Sequence, residues 1–461
     1  MGERKLGRQV RESLRRAVGE KAFFDSEADR FLYSYDTSSR KVLPDAVVRA
    51  ENAEQIAALM AVATRHGIPV TPRGGGSGTT GGSVPVDGGV VLVMSGMNRI
   101  LSVDMDNLVA RAEPGVITGD FHRAVEAKGL FYPPDPASSA FCTLGGNLAE
   151  CAGGPRAVKY GVTRDYVLGL EAVLPTGELI RTGVQTAKGV VGYDLTRLIV
   201  GSEGTLAVIT SMNLKLLPLP ESVKTLTVVF DEMARAAETV SEIIRRGLIP
   251  RTIEYMDQAA IVCAETRMPG ELPVDAGAML IIEVDGRKAE AIAMAEDVAL
   301  LCQSMGAREV KVAASEDEAA RLWAARKAIS PALFRYGPHK INEDIVVPRS
   351  KIPDVVEKIR ELKEKTRLMM VSFGHAGDGN IHFNIMLDKK DASALRRAHW
   401  AVEELFRFTL ALGGTLSGEH GVGLSKQAYF DMEIGPEEKA LMLRLKKAFD
   451  PAGILNPHKI F

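Results

Sequence analysis

The run RGGGSGTTGG (Arg73–Gly82) constrains the fold of this chain more than any other feature. Glycine inside a helix or strand costs about 0.5–1 kcal/mol relative to alanine, so such a run is a loop in which backbone shape outweighs local stability. It follows the apolar IPVTP (Ile68–Pro72), which reads as a strand after the helical pattern of Glu51–Gly67. Gly76, Gly78 and Gly81 satisfy G-x-G-x-x-G, yet that dinucleotide fingerprint requires a helix to open at its last glycine. Here Ser83, Pro85, Gly88 and Gly89 come next, and then the strand-like VVLVM. The pattern disfavours a doubly wound dinucleotide fold. It fits a loop between two strands that offers successive N–H groups to a pyrophosphate, with a purely structural turn as the alternative.

With 461 residues, 46% hydrophobic and 25% charged, the chain exceeds the usual size of one domain, and two or three are expected. A formal charge of -2 gives no electrostatic reason to bind nucleic acid. Cys142, Cys151, Cys263 and Cys302 form no C-x-x-C pair, which argues against a zinc ribbon, an iron–sulfur centre or a disulfide framework and for a reducing compartment. No apolar run reaches the roughly 18 residues that span a bilayer, and no apolar secretory core follows the N-terminal charges, so a cytoplasmic protein is expected. The first segment sets Arg4, Lys5, Arg8, Arg11, Arg15 and Arg16 around a stripe of Leu6, Val10, Leu14 and Val18. This reads as a packed amphipathic helix, with a membrane-surface or partner contact as the alternative.

Three stretches in the last third, GHAGDGNIHFN (Gly374–Asn384), SGEHGVG (Ser417–Gly423) and DPAGILNPHKIF (Asp450–Phe461), set histidines among glycine, glutamate and asparagine, as a reaction centre does. In the first, LMMVSF leads into an AGDGN turn and IHFNIML leads out, the pattern of a hairpin. His375 and His382 would converge across it, and Asn384 would share the face of His382. Two imidazoles and the carboxylate of Glu419 suit a divalent first-row ion, whereas hydrogen-bonded structural histidines are the alternative. Glu419 and His420 are neighbours on what reads as an extended segment, so their side chains should diverge and divide labour, His420 accepting a proton near neutral pH. Arg326 lies in LWAARKAIS (Leu322–Ser330) on one helical face with Trp323, and Ser330 follows one turn later. By pattern alone this arginine is either a solvated helix residue or a planar fork for a carboxylate.

These segments, with PPDPASS (Pro133–Ser139), TLGGNLAECAGGPRAVKYG (Thr143–Gly161), LGLEAVLPTGELI (Leu168–Ile180) and VGSEGTLAVIT (Val200–Thr210), resemble in order and wording the vanillyl-alcohol-oxidase/p-cresol-methylhydroxylase class of FAD enzymes. Within it they are similar to the glycolate oxidase FAD-subunit and D-lactate dehydrogenase branch, from about Pro44 to the last residue. The resemblance implies an α+β chain: a split two-subdomain FAD-binding domain at 1–220, an α+β cap with the substrate side at 221–410, and a segment 411–461 that returns to the FAD domain. Pro218-Leu219-Pro220 punctuates the first boundary. FAD contacts are implied at Arg73, Gly74, Gly75, Gly76, Ser77, Gly78 and Thr79, at Thr143, Gly145, Gly146, Asn147 and Gly153, and at Glu203, Gly204, Ile209 and Asn456. Relatives that link FAD covalently carry a histidine where Ser77 stands, so noncovalent FAD is expected, with a thioether at Cys142 or Cys151 as the minor alternative.

The resemblance further implies that His375, His382 and Glu419 ligate zinc, manganese or iron, that His420 is the general base, and that Arg326 binds the substrate carboxylate. Ser330, Asn384 and Lys340 are additional substrate contacts on this reading. The implied activity is FAD-dependent dehydrogenation of a D-2-hydroxy acid of the lactate, glycolate or 2-hydroxyglutarate class to a 2-oxo acid, by hydride transfer to flavin. No iron–sulfur or haem motif takes electrons onward, so a separate acceptor is expected: an iron–sulfur subunit, electron-transfer flavoprotein, cytochrome or quinone. A homodimer and a peripheral position at the membrane are compatible with it. The alternatives are the FAD subunit of a multi-subunit glycolate or lactate oxidase, a noncatalytic FAD or electron-transfer subunit, and a redox-neutral FAD-dependent alkyl transferase.

Overall fold

A computed structural model describes residues 6–461, so Arg4 and Lys5 lie outside the described residues. The chain divides into two compact units. The first comprises residues up to Ala152, Val162–Leu219 and Glu419–Phe461; the second comprises Gly153–Gly161 and Pro220–Gly418.

The first unit holds a four-stranded sheet in the order Phe23–Phe24, Ala46–Arg49, Val90–Val93, Val70–Arg73. The amphipathic pattern of residues 51–67 forms the helix Ala53–His66, opened by the Asn52 side chain accepting from Gln55 N–H and closed by Gly67 in the left-handed region. It packs with the helix Arg8–Val18 and the sheet in a core that includes Leu14, Val18, Ile56, Leu59, Val48 and Leu92. The basic face of the first helix is partly neutralised by Asp25, which accepts from Arg11 and Arg15 at 2.8 and 3.0 Å. After Arg73 the chain reaches the parallel strand Val90–Val93 through turns, with no intervening helix. A second, five-stranded antiparallel sheet runs Ile100–Asp104, Val109–Ala112, Val208–Lys215, Val167–Val173, Leu179–Gly183. The C-terminal tail returns to the first sheet, where Val70 N–H donates to the Ile454 carbonyl and Asn456 N–H to that of Val70, at 2.8 Å each.

The second unit is built on a seven-stranded antiparallel sheet in the order Glu309–Val312, Ser222–Phe230, Ala278–Gly286, Thr252–Asp257, Met369–His375, Asn380–Leu387, His339–Val346. Strand alternation gives its faces different jobs. On one face Val229, Met256, Met279, Ile281, Val371, Phe373 and Met386 pack under the helices Gln258–Ala264 and Glu316–Ala332. Burying Leu322, Ala325 and Ile329 in that core fixes the rotation of the second helix about its axis. Gly153–Gly161 belongs to this unit because Lys159 Nζ and Tyr160 Oη donate to the buried Asp285 carboxylate at 2.5 and 2.8 Å. Residues through Gly418 stay with it too, since Thr415 pairs with Val346 and Gly418 N–H donates to Asp344 Oδ2 at 2.9 Å.

Candidate functional site

The helix-covered face of the second unit's sheet turns polar at the hairpin end. Residues 369–375 and 380–387 form the expected antiparallel pair, with Phe373 opposite His382 and Val371 opposite Asn384. On the neighbouring strands Glu254 lies directly opposite His375, while Asp344 lies opposite His382 and Lys340 opposite Met386. Period-2 alternation therefore brings Glu254, His375, His382, Asn384, Asp344 and Lys340 to one face. His375 and His382 are diagonal neighbours whose rings meet edge to face, 5.0 Å between centroids, with their Nε2 atoms 3.4 Å apart. His375 Nδ1 donates to Glu254 Oε1.

Arg326 is buried, contrary to the solvated alternative for a helix arginine. Its guanidinium carbon lies 4.7 Å from the Phe373 ring centroid and its Nη2 stands 2.6 Å from Glu254 Oε2. That contact is an ion pair rather than an aligned hydrogen bond, and the fully buried Arg326 Nε has no hydrogen-bond partner among the described residues. Asn384 Oδ1 is likewise buried without a partner. Trp323, on the same helical face as Arg326, donates through Nε1 to Glu283 at 2.6 Å. Lys340 Nζ donates to Ser330 Oγ at 2.7 Å, so these two residues meet, and burial pushes the lysine's pKa below its ordinary value.

The glycine-rich run belongs wholly to the first unit. A Cβ on Gly75 would collide with the Phe141 carbonyl, and one on Gly76, where φ is +66°, with the Arg73 guanidinium. Close backbone packing thus explains the glycines locally. Thr37 Oγ1 donates to the carbonyl of Gly78 at 2.7 Å and approaches that of Ser77 at 3.3 Å. Because a trans peptide sets its C=O and N–H on opposite sides, the N–H groups of Gly78 and Thr79 point away from Thr37. The guanidinium of Arg73 turns back onto the Tyr35 carbonyl at 2.5 Å. Thr143 caps the helix Leu144–Glu150 by accepting from Gly146 N–H, and Asn147 Nδ2 donates to Thr118 Oγ1 at 2.7 Å. Gly145 lies on that helix, whereas Gly153 falls in the second unit.

Glu203 and Asn456 hold backbone. The carboxylate of Glu203 accepts from Val422 and Gly423 N–H at 2.8 and 2.7 Å, and Asn456 Nδ2 donates to the carbonyls of Glu203 and Gly82. Glu203 and Gly204 both have positive φ, and Ile209 lies on the strand Val208–Lys215. Thr80 Oγ1 donates to the His420 carbonyl at 3.2 Å, so the loop carrying His420 is tied to the glycine-rich run. The expectation that Glu419 and His420 diverge is not met, because Glu419 Oε1 and His420 Nε2 stand 3.9 Å apart. The segment bends there instead of extending as a strand.

Sequence reasoning missed Glu254 and Asp344. Each is a buried carboxylate in a strand, Glu254 interrupting the apolar TIEYM and Asp344 leading directly into the apolar IVV, and such an acidic residue inside or beside an apolar run is the signal that marks them.

Residues 219–460 match the family described as FAD linked oxidases, C-terminal domain, and residues 44–183 match the FAD binding domain. The chain belongs to the FAD-linked oxidase family. This FAD-linked oxidase is 45% identical over 457 residues to glycolate oxidase subunit GlcD of Bacillus subtilis (strain 168), with 99% of this chain and 97% of the relative covered. It is 36% identical over 428 residues to a D-lactate dehydrogenase of Anaerostipes hadrus, covering 91% and 90%. Its fold is that of p-cresol methylhydroxylase, with a TM-score of 0.79 at 18% identity over 97% of this chain and 95% of the other. The oxidase is therefore an FAD-dependent oxidoreductase of α+β architecture, as its motifs imply.

Proposed function

We propose that this FAD-linked oxidase dehydrogenates a D-2-hydroxy acid of the lactate, glycolate or 2-hydroxyglutarate class, with noncovalent FAD and a divalent ion at His375, His382 and Glu419. The names of its relatives support hydroxy-acid oxidation. The observation that carries the reading is the buried guanidinium of Arg326, whose Nε lacks a hydrogen-bond partner, on the same protein face as two facing imidazoles. Such a fork suits a carboxylate, and the partnerless Asn384 Oδ1 suits a hydroxyl donor.

The donor set fits a metal. Two nitrogens each about 2.1 Å from one ion at a tetrahedral angle stand about 3.4 Å apart, and the observed Nε2 separation is 3.4 Å. The Glu254 carboxylate supports the Nδ1–H tautomer of His375, which turns a lone pair at Nε2 toward His382. Glu419 follows by one peptide bond the Gly418 that Asp344 anchors. Zinc, manganese and iron all suit two imidazoles and a carboxylate.

When bound, FAD supplies a two-electron acceptor and the ion supplies Lewis acidity toward the substrate hydroxyl. Arg326 holds the carboxylate, with Ser330, Lys340 and Asn384 as further contacts. His420 takes the hydroxyl proton as the Cα–H bond breaks and the 2-oxo acid forms. A separate electron acceptor would be needed to complete the turnover. A second reading, the FAD subunit of a multi-subunit oxidase, is supported by the word subunit in the name of the Bacillus subtilis relative.

Anaerobic mixing with a panel of D- and L-2-hydroxy acids should bleach the flavin with at least one D-acid. Chelated enzyme should stay yellow, lose most of that bleaching and recover it with zinc, manganese or ferrous iron. His420→Ala should keep its FAD and slow bleaching by about 10²- to 10⁴-fold. Absence of stoichiometric metal in active enzyme would remove the ion from the mechanism, and bleaching by no hydroxy acid would overturn the substrate class.

A further inference from the structure

We propose that Glu254 is a positioning residue that orients the imidazole of His375 and the guanidinium of Arg326 together, so that metal affinity and carboxylate recognition depend on one buried charge. This rests on the function proposed above. Glu254 has no solvent exposure and sits on an inner strand of the sheet. A carboxylate so placed is strongly destabilising unless paired. Its two oxygens go to different partners, Oε1 to His375 Nδ1 and Oε2 to Arg326 Nη2 at 2.6 Å. An ion pair with Arg326 alone would satisfy the charge. The second partner has a chemical consequence instead of a merely compensating one.

An acceptor at Nδ1 selects the tautomer with its proton there and its lone pair at Nε2. That Nε2 is the atom 3.4 Å from His382 Nε2. An imidazole without such a partner samples both tautomers and rotates more readily, and each change removes a donor from the ligand set. On the other side, the pairing with Oε2 and the Phe373 ring 4.7 Å away hold the guanidinium in one orientation. Its unpartnered Nε thereby keeps a fixed direction for a ligand.

The arrangement is rigid because backbone sets it. Glu254 and His375 are Cα partners in the antiparallel ladder, so strand pairing fixes their separation. Arg326 comes from a helix whose rotation is fixed by Leu322, Ala325 and Ile329 in the core. Neither partner depends on a loop.

The test compares full-length wild-type protein with Glu254→Gln, each carrying FAD. Affinity for Zn²⁺ and Mn²⁺ is read by competition with a chelator of known strength, FAD content by absorbance, and KM separately from kcat at saturating metal. Glu254→Gln should retain FAD, bind metal about 10- to 100-fold more weakly, and show a raised KM. Metal bound as tightly as by wild type, with KM unchanged, would overturn the role of Glu254 while leaving the metal reading intact. Wild-type protein that takes up neither ion would overturn the metal reading itself. Should the variant fail to fold, ¹⁵N chemical shifts of the His375 ring in metal-stripped wild type decide: a dominant Nδ1–H tautomer supports the proposal, and a dominant Nε2–H tautomer refutes it.

Discussion

A half-buried lysine held by a hydroxyl rather than a carboxylate is an unusual charge to keep, and Lys340 is one. It donates to Ser330 Oγ at 2.7 Å, has no ion-pair partner among the described residues, and its pKa is lowered by burial. Such a group completes its pairing when an anion arrives. On the proposed reading, protonated Lys340 attracts the substrate carboxylate, and that attraction is lost as pH rises through its lowered pKa, earlier than for an ordinary lysine at about 10.4. KM should therefore rise on the alkaline side, with kcat changing less. Lys340→Met should raise KM at neutral pH and abolish the alkaline limb, and a pH profile of KM for both proteins checks this. A limb that survives the substitution belongs to another group. The resemblance implied Lys340 as a substrate contact; only the register opposite Met386 shows that it faces the same way as Asn384 and His382.

At the scale of elements, local patterns were legible where they were strong. The helix Ala53–His66 carries its own cap and stop signal, and the hairpin at 369–387 carries alternation around a glycine turn. The loop bearing His420 is different, because what holds it is distant in sequence. Glu203 accepts from two of its N–H groups across more than two hundred residues, and no local propensity encodes that pairing. Leaving a buried donor unsatisfied costs about 1–3 kcal/mol, so Glu203→Ala, which strands two, should destabilise the protein by about 2–6 kcal/mol. Glu203→Gln keeps one acceptor oxygen and should cost less. Chemical denaturation of the FAD-bound proteins measures both, and equal stability for all three would mean that the loop is held by other contacts.

For the whole molecule, the C-terminal tail couples the chain end to the first unit's sheet. Lys459 Nζ is buried against the Val84 carbonyl at 2.8 Å, and burial pushes its pKa down to about 8 despite the nearby Asp36, Glu203 and Asp87. In the unfolded chain its pKa is about 10.4. Below pH 8 both states carry the proton and the folded state bears the full desolvation cost. Between the two values the unfolded chain binds more protons, so the lysine's contribution becomes more favourable as pH rises, by up to about 3 kcal/mol. The stability difference between wild type and Lys459→Met should shift toward wild type from pH 7 to pH 10. Denaturant midpoints at both pH values test it, and a difference independent of pH would show that Lys459 titrates normally.

By itself the sequence determined the elements and the chemistry available to them. Glycine without a following helix argued against the doubly wound fold, two amphipathic runs placed the helices Arg8–Val18 and Ala53–His66, and the histidine-bearing stretches supplied the candidate reactive side chains. Those are short-range properties, set by backbone sterics and by hydrophobic periods of 2 and 3.6 residues. The tertiary structure decided which groups meet. It buried Arg326, whose exposure the pattern alone left undecided, set Glu254 between that arginine and His375, and brought Glu419 and His420 within 3.9 Å by bending a segment that reads as extended. Each of these depends on strand register or on packing between segments far apart in the chain, where a shift of one residue would turn a side chain to the other face.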